Sequence, residues 1–191
     1  MPELIIPEIT DASTLACISR SRKFTQYARA VDNALKGHCP FCKIDKAYNK
    51  VEIENDLCLA WHSNPPEDNT ALHFLIVPRR HVKDSMELTD VELLTMWKTI
   101  PRELVKRFAI KSRGLLMRDG DATLSAGTIE HLHLHLMVPN GTGRVESPFY
   151  KGAAEESKSL SRAIVFEKLR TGVAFEALGD AERELVRDRL I

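Results

Sequence analysis

Between Ile129 and Val138 the chain reads Ile-Glu-His-Leu-His-Leu-His-Leu-Met-Val, with histidines at 131, 133 and 135. In an extended strand alternate side chains share a face, so these imidazoles project together, about 7 Å apart at a rise of ~3.3 Å per residue. Leu132, Leu134, Leu136 and Val138 then point the other way, into a core. Imidazoles in register suit nucleophilic or acid–base work near neutral pH, or the holding of one metal ion. The alternative is a solvated strand face that happens to carry histidine.

A second cluster is Cys39-Pro40-Phe41-Cys42. Two thiolates at this spacing can share a zinc ion at about 2.3 Å from each sulfur. The sequence has no second C-x-x-C, so the remaining ligands must be histidine or carboxylate. A reduced pair without metal is the alternative. A thioredoxin-type redox pair is disfavoured, because no βαβ pattern surrounds it. A third element is Val77-Pro78-Arg79-Arg80-His81, weak when taken alone.

These residues need a frame. The chain has 191 residues, 27 basic and 27 acidic side chains, and 43% hydrophobic residues. That composition excludes a disordered chain. Zero net charge gives no global field for a nucleic-acid polymer or an anionic membrane, so phosphate binding must be local. No segment approaches ~18 uninterrupted apolar residues, and Met1–Thr10 lacks the basic start of a signal peptide. The expectation is a cytoplasmic protein.

The patterning predicts a helix over 12–36, two short strands within 51–61, a loop over 63–70 and a buried strand over 71–77. A long helix is predicted over 88–110, capped by Thr89 or Asp90 and kinked or split at Pro101. Its expected apolar face is Leu93, Leu94, Trp97, Leu104, Val105 and Phe108. Strands follow at 114–118 and 129–138, separated by a loop over 119–127, and then two helices within 153–191. Without strict βαβ alternation, the order argues for an α+β fold with an antiparallel sheet. The expected organisation is a helical extension over 1–37, a central domain over 38–150 that holds the motifs, and a second helical extension over 151–191. All seven histidines fall between residues 38 and 135.

In this order the motifs resemble the histidine-triad (HIT) family of nucleotide hydrolases and transferases. The resemblance runs from Cys39 to Val138: C-x-x-C followed by Lys43-Ile44, Ala60-Trp61-His62, Val77-Pro78-Arg79-Arg80-His81, then His-φ-His-φ-His-φ-φ at His131–Met137. It implies a half-barrel of about five antiparallel strands with a long helix, paired into a homodimer. It also implies transfer of a nucleoside monophosphate through a covalent nucleotidyl-histidine. His133 then falls on the nucleophile, His135 on the third histidine that contacts phosphate or leaving group, and Thr128 on a hydroxyl near the α-phosphate. Zinc-containing relatives imply a closed, structural zinc held by Cys39, Cys42, His81 and His131.

The chain departs from the family pattern on the substrate side. Ser63-Asn64 stand where relatives carry a ribose-binding Asp, Arg118 where many carry Asn, and Gly127 where many carry Gln. Trp61, Ser63, Asn64 and Arg118 are the candidate substrate-binding residues. The turn Pro139-Asn140-Gly141-Thr142-Gly143-Arg144 is either a distal phosphate contact or an ordinary strand exit. Because the third position is His135 and not Gln, transfer to a sugar phosphate is disfavoured; water is preferred over phosphate as acceptor because no single residue demands a phosphate site, with Arg118 and Arg144 as the residues that would hold one. The expected activity is hydrolysis of nucleoside 5′-phosphate anhydrides or phosphoramidates, such as dinucleoside polyphosphates. The alternatives are a phosphorylase or nucleotidyltransferase, a zinc-dependent hydrolase, and a nucleotide-binding sensor without turnover.

Overall fold

The computed structural model describes residues 3–125, 127–147 and 152–191; the expected boundary at 150/151 lies outside them. The chain packs as two units. One consists of Pro40–Asp121 and Glu130–Pro148, and the other of Met1–Cys39, Ala122–Ile129 and Phe149–Ile191.

The first unit is built on five strands: β1 (Val51–Glu54), β2 (Cys58–His62), β3 (Thr70–Pro78), β4 (Gly114–Arg118) and β5 (His133–Pro139). They form one sheet in the order β1-β2-β3-β5-β4, every neighbour antiparallel. The fold is therefore α+β with a five-stranded antiparallel sheet. Strand alternation gives the sheet two different faces. Cys58, Ala60, Phe74, Ile76, Leu134 and Leu136 point to one face, where Met96, Ile100 and Leu104 of the long helical run pack on them. Trp61, His73, Leu75, His133, His135 and Arg118 have the opposite parity on their strands.

The helical run begins at Thr89, whose side chain accepts from the Glu92 amide while the Glu92 carboxylate accepts from the Thr89 amide. This reciprocal box satisfies two amide donors that a helix start leaves over. The run continues through α3 (Asp90–Leu94), a π turn (Thr95–Thr99) and α4 (Ile100–Arg107). Pro101 does not split it. The irregularity is the π turn upstream, and Pro101 occupies the first turn of α4, where a missing N–H does least harm. The extra residue of the π turn rotates the helix face. Met96 and Ile100 are fully buried, whereas Leu93, Leu94 and Trp97 are exposed, contrary to their expected place in the core.

The second unit is helical. The predicted helix over 12–36 is two: α1 (Ala12–Ser19), capped by the Asp11 carboxylate on the Thr14 amide, and α2 (Phe24–Leu35). The break falls where the buried Arg20 guanidinium turns inward to Glu156 at 3.1 Å and to the carbonyls of Ala122 and Gly127. A short helix, α5 (Ala122–Ser125), occupies part of the predicted loop. The chain ends with α6 (Gly152–Arg170) and α7 (Asp180–Val186). Leu4, Ile6, Ile18, Tyr27 and Val31 share this unit's core with Ala163, Val165, Phe166, Leu178 and Val186.

Candidate active site

β5 begins at His133, not at 129 as the pattern predicted. The Leu132 amide donates to the Val82 carbonyl, so the chain joins the segment after β3 before it enters the sheet. His131 therefore precedes the strand, and only His133 and His135 share its face.

His133 faces Arg118 across β4 and β5, and His135 sits between Leu75 of β3 and Leu116 of β4. His133 Nδ1 lies 2.8 Å from the His131 carbonyl oxygen. A carbonyl only accepts, so Nδ1 carries the proton and Nε2 presents a lone pair. Burial pushes the His133 pKa down to about 4, which keeps the imidazole neutral near pH 7. Its ring meets Phe41 edge-on at 5.3 Å, and Phe41 in turn packs edge-on against the buried Trp61 at 5.1 Å.

His73, on β3, is the residue that the sequence reading missed. The Glu67 backbone amide donates to its Nδ1 at 2.9 Å. An amide N–H can only donate, so neutral His73 carries its proton on Nε2, which lies 2.8 Å from His135 Nδ1. His135 Nδ1 must then accept, and its own proton sits on Nε2. That nitrogen lies 3.4 Å from Nη2 of Arg118, so two donors are set side by side. Such a pair suits a shared oxyanion acceptor. The signal in the sequence is a lone histidine within the apolar run Ala71-Leu72-His73-Phe74-Leu75-Ile76-Val77.

The donor atoms of Cys39, Cys42, His81 and His131 all lie within 4.8 Å of one another. His131 Nε2 donates to the Pro78 carbonyl at 2.9 Å, which leaves its Nδ1 lone pair 3.4 Å from Cys42 Sγ. His81 Nδ1 is 3.3 Å from the same sulfur. Tetrahedral zinc at ordinary bond lengths sets sulfur and nitrogen ligands about 3.5 Å apart. Burial, followed by the nearby His81, lowers the His131 pKa to about 4, which favours the neutral form that ligates metal. The residues thus fit a Cys₂His₂ metal centre.

The other candidates are placed as follows. Ser63 follows β2, donating its hydroxyl to the Pro65 carbonyl and its amide to the His73 carbonyl. Asn64 is exposed beside it. Arg144 is exposed on the turn after β5, where its carbonyl accepts from the Asn69 side chain. Thr128 is half-buried on the helical unit's Ala122–Ile129 segment, whose carbonyls Arg20 engages.

The HIT domain model matches residues 45–142, just over half of the chain. The chain belongs to the histidine-triad family. No curated protein matches its sequence. Among solved structures, a HIT family hydrolase from Clostridium thermocellum is 25% identical, covering 56% of this chain and 94% of that one at a TM-score of 0.46. A zinc-bound histidine triad family protein from Mycobacterium smegmatis is 21% identical, covering 70% and 96% at 0.45. A histidine triad nucleotide-binding protein from Candida albicans is 19% identical, covering 70% and 99% at 0.47.

Proposed function

We propose that this protein is a nucleotide hydrolase that cleaves nucleoside 5′-phosphate anhydrides or phosphoramidates through a covalent nucleotidyl-His133. The observation that carries the reading is the tautomer of His133, fixed by the His131 carbonyl with Nε2 free to attack. Nε2 bonds to the α-phosphorus, and the bond from phosphorus to the leaving group breaks with its electron pair. The Nδ1–H donated to the His131 carbonyl stabilises the cationic adduct. His135 Nε2–H and Arg118 donate hydrogen bonds to the departing oxyanion of an anhydride, and the nitrogen of a phosphoramidate takes a proton from solvent to leave as a neutral amine. Water then attacks phosphorus, the P–N bond breaks, its electrons return to Nε2, and the proton of water passes to solvent.

Thr128 supplies a hydroxyl near the α-phosphate, while Ser63 and Asn64 contact the nucleoside, with Trp61 backing the pocket through Phe41. Cys39, Cys42, His81 and His131 hold one zinc, whose role is structural: it pins the turn before β5 so that the His131 carbonyl stays on His133. The protein works as a cytoplasmic homodimer. No helix among the described residues is long and apolar enough to cross a membrane. Val91, Leu94 and Trp97 leave an apolar stretch of the helical run 61%, 54% and 40% exposed, and a second copy would cover it.

A turnover screen over dinucleoside polyphosphates and nucleoside phosphoramidates, with and without added phosphate, tests the reading. A nucleoside monophosphate product whose yield is independent of phosphate is expected. A nucleoside diphosphate that rises with phosphate would make the protein a phosphorylase. No turnover would leave a binding protein.

A further inference from the structure

The helical unit buries two arginines and treats them differently. Arg20 is matched by the Glu156 carboxylate at 3.1 and 3.2 Å. Arg162 of α6 is only 6% exposed, yet its partners are neutral: its Nε donates to the Ser21 carbonyl at 3.0 Å and its Nη2 to the Ser159 hydroxyl at 3.4 Å. Among the described residues no carboxylate forms an ion pair with it. A buried guanidinium without a counter-ion is costly unless an anion reaches it.

Arg162 lines a cleft of about 380 Å³ together with Lys158 of the same helix and Arg189 near the chain's end. Lys158 is one turn from Arg162 and exposed, and among the described residues it forms no ion pair. Arg189 reaches back to the Arg22 carbonyl at 3.5 Å, which brings a further basic residue to the same corner. Burial, and next the positive charge of Arg189, lower the Arg162 pKa to about 10, with Glu155 opposing and Arg22 adding to the effect. It remains a cation at neutral pH. Two exposed carboxylates, Glu184 and Asp188, line it as well, beside Ala181 and Leu185, and Glu184 is engaged by Arg187 at 3.2 Å. Carboxylates beside a cationic cluster disfavour a bare polyanion and accept hydrogen bonds from hydroxyl groups.

We propose that this cleft binds a phosphate monoester of a hydroxyl-bearing molecule, with Arg162 as the buried anchor and Lys158 and Arg189 closing on the phosphate. Arginine's planar fork suits two phosphate oxygens, and lysine adds a point charge. The volume admits a ligand the size of a pentose phosphate.

The test is calorimetry of the full chain with ribose 5-phosphate at constant ionic strength, mapped by amide chemical shifts. Ribose and inorganic phosphate serve as comparison ligands. Saturable binding is expected, with shifts at residues 158–162 and 184–189, weaker binding of phosphate and none of ribose. Lys158→Ala and Arg189→Ala should each weaken affinity about tenfold, as expected for a lost charge-assisted hydrogen bond, without changing the melting temperature. Three results would overturn the proposal. They are the absence of saturable binding, unchanged affinity in the Lys158→Ala/Arg189→Ala double variant, and shifts confined to residues 116–118 and 133–135.

Discussion

His73 Nε2 and His135 Nδ1 stand 2.8 Å apart on neighbouring strands, and the Glu67 amide on the far side of His73 decides which of them donates. A backbone amide thus sets the protonation of the His135 imidazole through an intervening ring. The consequence is that His135 directs an N–H, not a lone pair, at the place where Arg118 also ends.

Replacing His73 separates this positioning role from a structural one. His73→Ala should lower kcat by about 10- to 100-fold with little change in KM, because the hydrogen bond to the leaving group is no longer oriented. His73→Gln places an amide N–H near the position of Nε2 and should recover most of the rate. Steady-state kinetics on the three proteins checks this. Equal losses in both variants would reduce His73 to a packing residue.

Arg118 should matter most when the leaving group is anionic. Arg118→Ala is expected to slow cleavage of a dinucleoside polyphosphate by about 100-fold, and cleavage of a phosphoramidate with an uncharged amine leaving group by much less. Parallel kinetics on both substrate types reads the difference. Equal losses would assign Arg118 to nucleotide binding instead.

If Cys39, Cys42, His81 and His131 hold zinc, protein purified without chelator should carry one zinc per chain. Cys42→Ser should lose the metal and melt at lower temperature, since coordination adds to the stability of the folded form. Elemental analysis and thermal unfolding measure both. A metal-free protein as stable as the purified one would remove the centre from the account.

Glu92 gives the fold a titratable element. Its carboxylate accepts from Arg80 at 2.8 and 2.9 Å and from Thr89, and these contacts, the Arg80 side chain first, lower its pKa to about 2. A carboxyl whose pKa is depressed on folding stabilises the native state above the unfolded value, near 4.5, and that contribution is lost as pH falls towards 2. Arg80 is half exposed, so solvent screens the pair. Glu92→Gln should cost about 1–2 kcal/mol at pH 7, mostly through the lost charge on the bonds from Arg80, because Gln can still accept from the Thr89 amide. The gap to the parent protein should narrow between pH 5 and pH 2 in urea unfolding. A gap independent of pH would contradict the assignment.

The sequence carried much of this design in its side-chain alternation. His133 and His135 could be placed on one face, and Leu134 and Leu136 on the other, because a strand's period is two. His131 could not be separated from them, since β5 starts only where Leu132 has finished bonding to Val82, a long-range contact without local pattern. His73 became legible only with the strand order, because its partner is 62 residues away on β5. Leu94 and Trp97 fitted a helical stripe, but the π turn rotated that stripe out of the core. The break at Arg20 follows from its partners at Ala122, Gly127 and Glu156, distant in sequence.

Covalent catalysis at this site requires that His133 Nε2 form a bond to phosphorus. Rapid acid-free quenching of the protein with a dinucleoside polyphosphate, followed by intact-mass and peptide mass spectrometry, tests it directly. A nucleoside monophosphate adduct is expected on the peptide that contains His133. His133→Ala should form no adduct and lose turnover by several orders of magnitude, with its thermal unfolding preserved. Turnover in His133→Ala near the parent rate, or an adduct on another residue, would contradict it.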